Sequence, residues 1–498
     1  MTHIPGGIFK SYDIRGTYPD QINEENVVLA VRAIYAFFLK QFPARNASAS
    51  VSGGPDKEPL TVVVGRDMRS SSPALFKSVT ETLVGLGAHV IDPGLVSTPT
   101  FYFAVFNGGY DTGIQITASH NPKQYNGLKI VVNPQNGGLI KVGKPTGMEE
   151  IKQMAVDGSY SVILGRGATP ESDPGQTRMT GIQGKITQID NVTENEVQNA
   201  LQIMGNPKLN SYKIVADAAN AMGALYIEHL YKHIPGELVK LYFELDGDFP
   251  NHAADPLDAK NNEDVEKKVV EEKADLGLAL DGDGDRIFFL DERGVVIPPS
   301  MITAIVAREL LREHKGEKVL FDIRYIMTPQ KVVEEEGGES IITRVGHAFI
   351  TEQMNKSGGI FAGESSAHYF FKSTGNAEGP ILVLLHVLNA MTKTGKKLSE
   401  LASEVKRSRE SGEINFRVKN AQQIIDKLKE LHADGEIIEL DGVSVQYPDW
   451  RFNLRMSNTE PILRLNVEET IDGYQGRHEK LIETIKEHAQ FDEESSGH

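Results

Sequence analysis

Apolar positions along this chain fall into short β-branched runs, each closed by a Gly/Asp/Pro turn and followed by a stretch with helical spacing. Thr61-Val-Val-Val-Gly65 precedes a helix-like segment at 73–86 and then Ala88-His-Val-Ile91. Lys213-Ile-Val-Ala-Asp217 leads through a small-residue turn into an apolar helix near 224–230. Leu276-Gly-Leu-Ala-Leu280 ends in an acidic turn, and Lys318-Val-Leu-Phe-Asp322 opens another such unit. The recurrence predicts βαβ units and an α/β fold with parallel or mixed sheets, since parallel strands need crossovers of this length. After a charged helical stretch at 396–410, the segments at 413–418 and 437–445 read as a smaller, strand-rich α+β unit. Gly/Pro/Ser-rich breaks at 165–175 and 294–300, with the charged stretch at 396–410 leading into the last piece, divide the chain into 1–180, 181–297, 298–408 and 409–498, and 46–56 reads as a surface insertion.

Composition sharpens this picture. At roughly 150 residues per domain, 498 residues make three or four folding units, and 40% hydrophobic with 24% charged residues is ordinary for globular chains. With 69 acidic against 52 basic side chains the formal charge is −17, which argues against nucleic acid or an anionic membrane as partner. An anionic ligand must then be captured locally. Cysteine is absent, which removes disulfides, thiolate metal sites and sulfur nucleophiles together. No apolar run is long enough to span a bilayer and the N-terminus lacks an apolar signal core, so a cytoplasmic protein is expected.

Four segments carry candidate chemistry. Asp281-Gly-Asp283-Gly-Asp285-Arg286 follows an apolar strand, and carboxylates alternating with glycine can close around one hard cation such as Mg²⁺. A calcium EF-hand is excluded because Arg286 stands where its loop needs glycine and because Ile287-Phe-Phe-Leu290 reads as strand. Thr117-Ala-Ser119-His120-Asn121-Pro122 places a serine beside a histidine. Alone it is a turn; beside a carboxylate metal site it suits phosphoryl transfer through a phosphoserine. Arg455-Met-Ser457-Asn458-Thr459-Glu460-Pro461 with Arg464 offers guanidinium forks and hydroxyls for phosphate oxygens. Gly363-Glu364-Ser365-Ser366-Ala367-His368 offers partners for sugar hydroxyls and an imidazole for proton transfer, and Gly346-His347 a second imidazole.

In this order the four motifs resemble those of the α-D-phosphohexomutase superfamily, phosphomannomutase/phosphoglucomutase branch, and the likeness covers most of the chain. It implies three related α/β domains plus a smaller C-terminal α+β domain, arranged in a heart shape around a central cleft. By that likeness Ser119 is the phosphorylated nucleophile, and Asp281, Asp283 and Asp285 hold Mg²⁺ together with a phosphoserine oxygen. Arg15, His120, Lys129 and Arg286 line the transfer site, with His368, Lys129 or His120 as general base. Arg324, His347, Glu364, Ser366 and His368 contact the sugar, while Arg455, Ser457, Asn458, Thr459 and Arg464 anchor the non-reacting phosphate. The implied substrate is a hexose monophosphate, mannose foremost and glucose also, passing through a hexose 1,6-bisphosphate that is also the activator, in a monomer or weak homodimer. The alternatives are phosphoglucomutase as the main activity, or a sugar-phosphate binder or bisphosphate synthase on the same scaffold. Arg324 and Thr351 stand where many members of the branch carry lysine, and Glu-Ser-Ser replaces Glu-Met-Ser in the sugar loop.

Overall fold

The computed structural model describes residues 4–43, 58–164, 184–456 and 462–490. The expected insertion at 46–56, the linker at 165–175 and the stretch 457–461 lie outside the described residues. The chain forms two compact units, Met1–Val296 with His368–Lys397, and Ile297–Ala367 with Leu398–His498.

The first unit holds two mixed sheets. In the first, strands run in the order Ile14–Thr17, Tyr125–Val132, Thr112–Ile116, Thr61–Arg66, His89–Asp92 and Lys185–Gln188. Thr61–Arg66 is parallel to both Thr112–Ile116 and His89–Asp92, and its buried Val62, Val63 and Val64 form the continuous apolar run of a strand covered on both faces. Helix Glu24–Gln41 starts where the Asn23 side chain accepts the Asn26 backbone N–H, and it buries Val31, Ile34 and Phe38 against this sheet's core. The second sheet runs Val296–Ile297, Ile287–Leu290, Leu276–Leu280, Tyr212–Asp217 and Gly236–Leu241. Its antiparallel pair, Leu276–Leu280 with Ile287–Leu290, encloses the acidic turn. Helix Pro380–Thr394, apolar on nearly every face and buried along most of its length, packs on Val192–Ile203 and Gly223–Leu230.

In the second unit, strands Glu339–Thr343 and Phe361–Gly363 each pair in parallel with Lys318–Asp322. A separate antiparallel sheet runs Ser408–Glu410, Leu463–Thr470, Trp450–Met456, Val443–Gln446 and Glu436–Ile438 over a core that includes Phe452, Leu454 and Ile485. The sheet is docked by buried charge: Arg451 donates to the carbonyls of Ile323 and Arg324 and pairs with Glu468 at 2.8 Å, and Glu468 accepts the Ile326 and Met327 N–H groups.

The helical stretch expected at 396–410 is corrected. Helix Leu398–Val405 ends before strand Ser408–Glu410, whose Ser408 pairs with Thr470 of the C-terminal sheet. Charge spacing alone cannot register that pairing partner, some sixty residues on. Among the described residues no helix is long and apolar enough to cross a membrane.

Candidate active site

Strand Thr112–Ile116 delivers Thr117–Asn121 to its C-terminal end, the usual ligand side of an α/β sheet. Ser119 takes φ +51°, a left-handed conformation that a residue with a Cβ holds only when its surroundings impose it. Arg69 does so. Its guanidinium donates to the carbonyls of Ser119 (2.8 Å), Asn121 (2.6 Å), Pro122 (2.9 Å) and Tyr125 (3.1 Å), while Nε lies 3.2 Å from the buried Asp67 carboxylate. From the opposite side Gly282 closes on the loop: a Cβ there would meet the Ser119 carbonyl oxygen at 2.3 Å, so only glycine fits.

The acidic turn lies against this serine. Ser119 Oγ donates to Asp281 Oδ2 at 3.3 Å and lies 3.3 Å from His120 Nδ1. Asp281, Asp283 and Asp285 are all buried and present ligand atoms within 4.8 Å of one another. Lys129, on strand Tyr125–Val132, reaches Asp283 Oδ2 (2.7 Å) and Asp285 Oδ2 (2.5 Å). Thr98, in the first turn of helix Thr98–Asn107, gives Asp283 both its N–H (to the backbone carbonyl, 2.9 Å) and its hydroxyl (to Oδ2, 2.5 Å). Asp283 Oδ1 is buried without a hydrogen-bond partner among the described residues. Three buried carboxylates, one with an oxygen left open, fit a hard divalent cation of the Mg²⁺ type.

Electrostatics sort these groups. Burial, reinforced by Asp285 and Asp283, pushes the Asp281 carboxyl well above the usual range; burial would do the same to Asp285, but Lys129 and His368 hold it well below. Burial alone would depress the Lys129 ammonium, yet Asp283 and Asp285 raise it well above its ordinary value, so it stays charged. Burial and the Arg286 guanidinium keep His120 neutral. His368 Nε2 lies 3.1 Å from Asp285 Oδ1 and 3.4 Å from Arg286 Nε. Arg15 holds the Asn121 side chain at 2.7 Å and pairs with Asp13. Ser119, His120, Lys129, Arg15, Arg286, His368 and the three aspartates are thus neighbours within the first unit.

The second unit gathers the other expected residues. His347 opens helix His347–Ser357, and Glu364 Oε1 accepts the N–H of Gly346 at 2.8 Å. Arg324 forms a two-pronged pair with Asp322 (2.8 and 3.2 Å) and lies 3.6 Å from Glu364. Ser366 is buried near the end of the same loop that carries Glu364. Arg455 and Arg464 face each other across paired strands. Thr351, the position of the second departure, is buried within its helix, where threonine packs without a charge to solvate. Ser457, Asn458 and Thr459 lie outside the described residues.

Family models match the chain along most of its length. Phosphoglucomutase/phosphomannomutase alpha/beta/alpha domains I, II and III match residues 6–155, 192–294 and 298–408, and the C-terminal domain of the same family matches 413–480. The chain belongs to the phosphoglucomutase/phosphomannomutase family. It is 34% identical to a Vibrio cholerae phosphomannomutase over 469 residues, covering 92% of this chain and 94% of that one. It is also 34% identical to a Methanocaldococcus jannaschii phosphomannomutase, with 93% of each chain covered. A solved phosphoglucomutase/phosphomannomutase family protein from Burkholderia thailandensis superposes with a TM-score of 0.80 at 29% identity, covering 98% of this chain and 99% of that one.

The family resemblance and the α/β fold class expected from sequence are borne out. Three groups that hold the candidate residues of one unit or the other escaped sequence reasoning. Arg69 reads as one more surface arginine near Gly65-Arg-Asp67. Thr98 reads as a helix start after Ser97, whose hydroxyl does cap Thr100 at 3.2 Å. Glu413 precedes a strand with no signal at all. The Lys141–Glu378 pair, both buried, is a fourth surprise; Glu378 joins Asp285 and His368 within 4.8 Å.

Proposed function

We propose that this chain is a Mg²⁺-dependent phosphohexomutase that interconverts hexose 1-phosphate and hexose 6-phosphate, mannose phosphates foremost and glucose phosphates as well. The observation that carries the reading is Ser119 Oγ, held on a strained backbone 3.3 Å from the first carboxylate of a buried aspartate trio.

In this reading Ser119 carries a phosphoryl group. Its Oγ–P bond breaks as a free hydroxyl of the hexose monophosphate bonds to phosphorus, giving a hexose 1,6-bisphosphate; the bisphosphate turns, and the other phosphate returns to Ser119. Asp281, Asp283 and Asp285 would hold Mg²⁺, which when bound neutralises charge on the moving phosphoryl oxygens. His368 is the group that takes the hydroxyl proton. Asp285 stands 3.1 Å from its Nε2 and stabilises the imidazolium, whereas Lys129 is held charged by two carboxylates. Arg15 and Arg286 meet the phosphoryl oxygens. Arg324, His347, Glu364 and Ser366 read the sugar hydroxyls, and Arg455 with Arg464 anchors the phosphate that is not reacting.

A coupled assay primed with hexose 1,6-bisphosphate tests this, using mannose 1-phosphate, glucose 1-phosphate and glucosamine 1-phosphate. Turnover of the first or second is expected. Binding of all three without turnover would reduce the chain to a sugar-phosphate binder, and bisphosphate as the dominant released product would make it a synthase.

A further inference from the structure

Arg455 and Arg464 are directly opposite in the antiparallel pair Trp450–Met456 and Leu463–Thr470, an arrangement that like charges disfavour. Glu413 resolves it. Strand Ile414–Phe416 pairs with Leu463–Thr470 so that Asn415 stands opposite Arg464. The two-residue period carries Glu413 to the same face. There its two oxygens are divided: Oε2 lies 3.1 Å from Arg455 Nη2 and Oε1 lies 2.9 Å from Arg464 Nη1. Arg324 Nη1 is 3.9 Å from Oε2. Arg455 is 2% exposed, and its Nε is buried with no hydrogen-bond partner among the described residues. Burial and Arg324 push the Arg455 guanidinium down, while Glu413 and Asp441 pull it back up.

One carboxylate therefore occupies a single nitrogen on each of two guanidinium groups and fixes their separation, while Nε of Arg455 keeps no hydrogen-bond partner among the described residues. We propose that Glu413 is a positioning residue for phosphate recognition: it offsets the repulsion between Arg455 and Arg464 and presents both as one preformed seat for a phosphate dianion. The inference rests on the reading of Arg455 and Arg464 as phosphate anchors. Glu413 remains in place when phosphate binds, and the phosphate takes the donors of the Arg455 fork that Glu413 leaves.

The test uses the full chain with Mg²⁺ and four proteins: wild type, Glu413→Gln, Glu413→Asp and Arg455→Ala. Calorimetric Kd for mannose 1-phosphate is measured beside KM and kcat. Glu413→Gln is expected to raise Kd and KM about tenfold, the size of one charge-assisted bond, with kcat within about twofold. Glu413→Asp, which keeps the charge, is expected to recover most of that loss. An unchanged Kd in Glu413→Gln overturns the proposal. Tighter binding also overturns it, because Glu413 would then compete for the seat. If Arg455→Ala leaves Kd unchanged, the phosphate-anchor reading itself fails; if Arg455→Ala weakens binding and Glu413→Gln does not, only the role of Glu413 fails.

Discussion

The Ser119 site and the Arg455–Arg464 cluster are both dense in charge, yet they are balanced in opposite ways. Around Ser119 the charges are paired and deeply buried: Asp283 and Asp285 share Lys129, and Thr98 and Arg69 hold the surrounding backbone. Around Arg455 the excess is positive and partly open to solvent, with Arg464 22% and Glu413 26% exposed. In the proposed reading phosphoryl transfer tolerates little misplacement of Ser119, and its backbone is held from two sides by Arg69 and Gly282. In the proposed reading, a seat that receives phosphate from either end of a turning bisphosphate is better served by donors held in reserve. Geometry is invested in one place and charge in the other.

Four experiments can break or sharpen that contrast. Ser119→Ala should lower kcat by about four orders of magnitude and abolish the phosphorylated species in intact mass; retained phosphate with full activity would move the nucleophile elsewhere. Arg69→Met should cost about 3–5 kcal/mol in denaturant unfolding of the first unit, since it strands the buried Asp67 charge and frees four carbonyls. Loss of activity at unchanged stability would mean that Arg69 aims the loop without supporting the fold. Arg455→Ala should raise KM by about one to two orders of magnitude while leaving the phosphoserine content of the protein intact. A fall in phosphoserine would dissolve the division of labour.

The smallest effect concerns pH. Burial pushes the Glu196 carboxyl from 4.5 up to about 7, against the Thr100 hydroxyl that donates to it at 2.5 Å. Between about 4.5 and 7 the folded chain then binds more protons than the unfolded one, so this group's contribution to stability falls as pH rises through that window and levels off above it. Glu196→Gln should flatten that slope and raise the Tm above pH 7 by about 2–4 °C. An unaltered pH profile would show that Glu196 is ionised in the folded state.

Much of this was legible in sequence because it is local. The strands at Leu276–Leu280 and Lys318–Asp322 follow from apolar runs, and the three aspartates declare themselves by their spacing around glycine. What stayed hidden is what acts across distance. Arg69 reaches Ser119 fifty residues on, Thr98 reaches Asp283 across 185, and Glu413 reaches Arg455 across 42. None of the three sits in a distinctive local pattern, because a supporting side chain needs only the right reach and polarity. Strand Ser408–Glu410 was hidden likewise, its partner lying in Leu463–Thr470.

The approach of Gly282 to the Ser119 carbonyl bears on modularity. The first family segment, 6–155, contains the serine, its strand and Arg69, and the second, 192–294, contains the aspartates. Yet backbone meets backbone at this point, Thr98 and Lys129 of one segment are spent on Asp283 of the other, and Asp283 returns its carbonyl to Thr98. The placement of Ser119 is therefore not an attribute of either segment. A fragment ending before residue 184 would carry every atom of Ser119 and lack half of what keeps it poised, so recombination between relatives should respect this pair of domains as one heritable block.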